Sequence, residues 1–104
     1  MQPMSNAQTQ AQMHEESVLG HLEELARKLD VSIREGKYDG KGGMARWRDN
    51  WVLLVDRAMP TDARVSLYLD ELQKLNMEHV FVLPAIRELF EKRRQRRGRA
   101  PASR

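Results

Sequence analysis

The five residues Trp51-Val52-Leu53-Leu54-Val55 are apolar without a break. Side chains alternate sides along a strand, so such a run is apolar on both faces and belongs in the middle of a sheet, covered on both sides. The chain must build that cover from 104 residues, which is room for one domain with one modest core.

The flanking segments supply candidate neighbours. Val31-Ser32-Ile33-Arg34-Glu35 alternates apolar and polar residues and reads as a strand with one buried face. After a loop over 36–43 that holds four of the six glycines, Met44-Ala45-Arg46-Trp47-Arg48 reads as a second strand, its Ala45/Trp47 face opposite Met44/Arg46/Arg48. Asp49-Asn50 tolerates positive φ and predicts a tight hairpin into Trp51–Val55. Three consecutive strands read as a small meander.

Helical spacing brackets these strands. Val18, Leu22, Leu25, Ala26 and Leu29 form one stripe, with Glu15 and Glu16 early and Arg27 and Lys28 late, as the helix dipole favours. Gly20 weakens this helix by about 1 kcal/mol relative to alanine. Pro60-Thr61-Asp62 starts a second helix, with Thr61 the expected N-cap and Val65, Tyr68, Leu69, Leu72 and Leu75 its buried stripe. Val80–Leu83 is either a short strand or an extended connector. Pro84 suits the first position of a last helix, with Ile86, Leu89 and Phe90 inward, expected to run on into the Arg-rich segment and to fray before Gly98 and Pro101. The expected fold is a small single α+β domain. Its order is helix, three-stranded antiparallel meander, helix, short strand or connector, and C-terminal helix, with the helices on one face of the sheet.

The net charge of +3 conceals a division. Residues 92–104 carry seven positive charges and no acid, leaving residues 1–91 at −4. The expected organisation is a disordered Gln-rich lead-in over 1–14, an α+β domain over 15–91 and a flexible basic tail over 92–104. Lys92, Arg93, Arg94, Arg96, Arg97 and Arg99 can neutralise phosphates and release counterions, which gives salt-sensitive nucleic-acid affinity without sequence preference. No aromatic residue lies within that cluster, so it offers no base stacking. The competing readings are that the tail folds back on the acidic body or serves only as a solubilising terminus.

Other chemistry is poorly represented. The absence of cysteine excludes disulfides, thiolate zinc sites and cysteine nucleophiles. The apolar runs fall short of the ~18 residues of a membrane span, and the first residues do not resemble a signal peptide, so we expect a soluble cytoplasmic protein. His14, His21 and His79 lack the i, i+4 spacing of helical metal ligands, and His79 beside Glu78 is a poor acid–base pair because adjacent residues rarely face each other. The Gly36–Gly43 loop departs from a phosphate-binding loop: Gly42 stands where Ser or Thr is needed, and a strand follows in place of a helix. Asp56-Arg57, at the end of the apolar strand, reads as a cap or loop salt bridge ahead of a functional pair.

Three segments, LEELARKLDVSI (22–33), WVLLVDRAMPTDAR (51–64) and LYLDELQKL (67–75), resemble the front of ImmA/IrrE-type zinc metallopeptidases. There a helix and a short meander precede a helix bearing His-Glu-x-x-His. The resemblance sets Asp70-Glu71-Leu72-Gln73-Lys74 on that motif, so that Glu71 matches the general base while Asp70 and Lys74 replace both ligands. It implies a degenerate, metal-free relative, since an ammonium repels a dication. Tyr38–Met44, Val55-Asp56-Arg57 and Val82–Leu89 are also similar to recurrent phrases of small uncharacterised bacterial proteins of this domain size, a likeness that implies no activity.

The leading expectation is a non-enzymatic cytoplasmic binding domain, without cofactor or metal, whose basic tail touches RNA or DNA. The alternatives are a protein-interaction or homodimerisation module and the metallopeptidase-like domain lacking its metal.

Overall fold

The computed structural model describes the backbone of residues 3–102 and the side chains of residues 14–96. Helix α1 spans Pro3–Lys28, and its stripe from Val18 to Leu29 is buried as the spacing predicts. The helix begins at Pro3 and not near Glu15, so the 14/15 boundary is not a break in secondary structure; Met1 and Gln2 lie outside the described residues. Asp30 ends the helix in the left-handed region at φ 63, a position glycine more often fills.

Strands β1 (Val31–Gly36), β2 (Gly42–Trp47) and β3 (Asn50–Asp56) form a three-stranded mixed sheet. The expected antiparallel meander is corrected here. The order is β1-β3-β2, with β1 parallel and β2 antiparallel to β3. The apolar run is therefore central, and the alternating strands are the two edges. Val31 pairs with Trp51 and Glu35 with Val55 on one side, while Met44 pairs with Leu53 and Ala45 with Val52 on the other. The hairpin turn is Arg48-Asp49, one residue before the expected pair, with φ of 54 and 69.

The physical reason for the strand order is a strap over the end of β3. After β1 the chain turns at Tyr38–Lys41, with Asp39 and Gly40 at positive φ and the Lys41 N–H donating to the Tyr38 carbonyl. The strap carries the chain across β3 to its far side. The Asp56 N–H donates to the Lys41 carbonyl and the Arg57 N–H to the Gly36 carbonyl, at 3.1 and 2.8 Å. β2 then starts at Gly42, where a Cβ would collide with the Leu54 carbonyl and the Leu67 side chain. Only glycine allows the strand and the helix above it to come so close.

Helix α2 spans Thr61–Leu72, shorter than expected at its C-terminal end, and Tyr68, Leu69 and Leu72 are buried. Pro60 occupies the N-cap position without a side-chain cap bond, so Thr61 is the first helical residue and not the cap. Residues 77–83 are an irregular connector, and Val80–Leu83 adds no strand to the sheet. Helix α3 spans Pro84–Ala102, with Ile86 and Phe90 buried and Leu89 packed against the core. It continues through the basic segment, so 91/92 is a boundary of charge within one helix.

All three helices gather on one side of the sheet: α1 packs on β1 and α2, α2 on β2, and α3 on α2 and α1. Leu53 and Val55 face these helices and join the main core together with Val31. Pairing in register puts Ser32, Arg34, Ala45, Trp47, Val52 and Leu54 on the opposite face, which no helix among the described residues covers. No helix among the described residues is long and apolar enough to cross a membrane.

Candidate nucleic-acid interface

The basic segment is divided by its contacts. Arg93 donates from Nε and Nη2 to the two carboxylate oxygens of Asp70 on α2, at 2.8 and 3.1 Å. This two-pronged pair clamps α3 to α2, and the Asp70 carboxylate holds the Arg93 guanidinium protonated still more firmly than usual. Arg94 pairs with Glu91 one turn earlier at 3.2 Å, in an exposed contact of small energetic weight. Lys92 and Arg96 are exposed. The side chains of Arg97 and Arg99 lie outside the described residues. Of the six predicted phosphate contacts, Arg93 is thus already committed within the domain.

A second cationic cluster occupies the helix-free face of the sheet. Trp47, at the end of β2, is 54 % exposed. The Arg48 guanidinium lies 4.8 Å from its ring centroid and that of Arg34 lies 5.5 Å away. Val52 sits on this face in the central strand and is only 7 % exposed. Its cross-strand neighbours there are Ser32 on β1 and Ala45 on β2. Exposed cation–π contacts are worth about 0.5–1 kcal/mol each, so these guanidiniums are held weakly. Arg46 over Trp51, at 4.7 Å, is a similar pair on the helix side.

Sequence reasoning missed this cluster. Trp47 and Arg34 stand on strands that are not neighbours, and they meet only because β3 lies between them and both point away from the helices. The Ala45/Trp47 face was legible; what stood opposite it was not.

Asp56 is 5 % exposed and wholly occupied. One carboxylate oxygen accepts from the Tyr38 and Gly40 N–H groups at 2.6 and 2.8 Å, and the other from the Ala58 N–H at 2.8 Å. The N–H groups of Ala58, Gly40 and Tyr38 hold its carboxyl below the ordinary 3.8. Its function is to tie the strap to the end of β3. Beside it, Arg64 on α2 donates to the Met59 and Arg57 carbonyls and to Glu35 on β1, stapling the helix start to the strand end.

The Asp70–Lys74 segment does not form a ligand cluster. Asp70 is held by Arg93, Glu71 pairs with Lys74, and α2 ends at Leu72, before the second ligand position. His14, His21 and His79 are exposed. Among the described residues no three His, Cys, Asp or Glu side chains are grouped to hold a metal ion. An open groove of about 1260 Å³ lies between the end of α1 and β1, with Glu23, Glu24, Asp30 and Asp49 facing Arg27 and Arg46. Arg27 pairs with Glu24 and lowers its carboxyl pKa. Burial pushes the Tyr68 hydroxyl well above the ordinary tyrosine range, which keeps it neutral.

No family model matches the chain, and no curated protein or solved structure matches it.

Proposed function

We propose that the protein is a non-enzymatic binding domain that contacts nucleic acid through the basic end of α3, without reading sequence. The observation that carries this reading is the run of cations after Glu91, with Lys92, Arg94 and Arg96 exposed on one helix and no acid following them. A helix end crowded with lysine and arginine neutralises phosphates by releasing their counterions. Arg93 plays the supporting part, since its pair with Asp70 fixes the direction in which the helix leaves the domain.

The test keeps Arg93 and neutralises Lys92, Arg94, Arg96, Arg97 and Arg99 to glutamine. Affinity for a mixed-sequence duplex at low salt is expected to fall steeply. The slope of log affinity on log salt is expected to shrink by about 0.9 for each phosphate that the variant no longer neutralises. Unchanged affinity and slope would overturn the reading.

A second reading, homodimerisation, draws support from β1. It is an edge strand, and Ile33 is 37 % exposed beside the groove. An unpaired apolar edge can pair with a second copy. Light scattering on the neutralised variant separates the two readings, because a dimer joined through β1 survives loss of the tail charges and dissociates in an Ile33→Lys variant.

A further inference from the structure

The helix-free face presents an unusual combination for bare sheet surface. Trp47 is more than half exposed on it, and its neighbours are cationic: Arg34 and Arg48 lie against the indole. Among the described strand residues on this face the one carboxylate is Asp56, and three backbone N–H groups already occupy it. Asp49, in the adjoining turn, lines the groove between the end of α1 and β1. The face therefore offers a half-exposed indole flanked by guanidiniums, and the one carboxylate among its described strand residues is already occupied.

A second copy fits this face poorly. A two-fold contact sets a patch against itself, so Arg34 and Arg48 would meet the same residues of the partner, and like charges opposed across an interface are costly. A polyanion carrying flat rings suits it in both respects. We infer that the helix-free face binds single-stranded nucleic acid, an unpaired base stacking on Trp47 while Arg34 and Arg48 turn to the adjacent phosphates. This deepens the function proposed above and rests on it. The end of α3 supplies phosphate contact to any strand, and Trp47 adds a preference for bases outside a duplex, where their faces are accessible.

The experiment compares fluorescein-labelled oligothymidylate with a labelled duplex of equal length, by anisotropy at low salt, using the full chain. Trp47→Ala is expected to weaken oligothymidylate binding about tenfold and to leave duplex binding within about twofold. Phenylalanine at the same position is expected to restore part of the loss. A Trp51→Phe variant, which leaves Trp47 as the sole indole, provides a readout that keeps the ring in place. Oligothymidylate is expected to quench its fluorescence, and inorganic polyphosphate, which has charges but no bases, is not.

Equal quenching by polyphosphate would overturn the inference. So would a folded Trp47→Ala protein that binds oligothymidylate as the parent does; duplex binding through α3 would then still stand. A dimer that Trp47→Ala dissociates would assign the face to a second copy instead. Failure of the parent to bind either oligonucleotide would remove both this inference and the reading on which it rests.

Discussion

The two faces of the sheet bury neighbouring residues of one strand by different means. Leu53 is sealed from solvent by helices, in a core that also takes in residues from β1 and all three helices. Val52, the residue before it, is nearly as buried, but on a face that no helix among the described residues covers. The first kind of cover is built from the core of the fold and cannot be lifted without unfolding. On the second face Arg34 and Arg48 lie against Trp47 in contacts that are exposed and individually weak. Similar burial thus coexists with surroundings of very different strength.

The contrast can be broken most directly at Leu53. Leu53→Ala leaves a cavity under the helices and is expected to cost about 3 kcal/mol in urea unfolding. Val52→Ala, beneath cover that can relax, is expected to cost about 1 kcal/mol. Equal losses would show that the helix-free face is packed as rigidly as the core.

Asp56 lies where the two faces share one end of β3, and Asp56→Ala is expected to lower the melting temperature by about 10 °C. Its carboxyl is held below 3.8 by the N–H groups of Ala58, Gly40 and Tyr38, so the folded chain takes up this proton less readily than the unfolded one. Its contribution to stability is therefore complete above about pH 5 and is lost as pH falls through about 4 toward the lowered folded value. The gap between parent and Asp56→Ala melting temperatures should close over that range. A constant gap would mean that the strap is not held by the ionised carboxylate.

Arg93 and Arg96 provide the same contrast on one helix. Arg93→Gln breaks the pair with Asp70 and is expected to cost about 1 kcal/mol, whereas Arg96→Gln leaves stability within about 0.5 kcal/mol. A small stability effect is also expected at Trp47: replacement by alanine costs about 0.5 kcal/mol, because the indole's cationic partners are themselves in water. A loss of several kcal/mol there would make the indole part of the core and remove its availability to a ligand.

Features set by short-range periodicity were legible in the sequence. The stripe from Val18 to Leu29 is buried as helical spacing alone predicts; of the Val65–Leu75 stripe and the inward set Ile86, Leu89 and Phe90, the residues Val65, Leu75 and Leu89 are only half-buried against the core. The unbroken apolarity of Trp51–Val55 pointed to a central strand covered on both faces; the strand is central, although the expected meander would have left it at an edge, and the described helices cover one of its faces. Strand order was not, because it depends on a strap tied by Asp56 to residues sixteen and eighteen positions away. Local composition favoured Asp49-Asn50 for the hairpin turn, yet Arg48 takes a positive φ so that Trp47 and Asn50 can pair. The split of the basic segment was hidden for the same reason: Asp70 lies 23 residues from Arg93, beyond any local signal.

The position of β3 between its two predecessors also orders the assembly of the sheet. β2 and β3 are joined by a two-residue turn and can zip within about 1–10 μs, before any distant contact is needed. β1 meets β3 only through residues about twenty positions apart, so its parallel pairing must await closure of a longer loop. The Asp56 carboxylate stands at the end of the early hairpin, and the N–H groups of Tyr38 and Gly40 can reach it only once β1 is beside β3. The strand synthesised first is thus the last to be secured, and the carboxylate that secures it records that the sheet has closed.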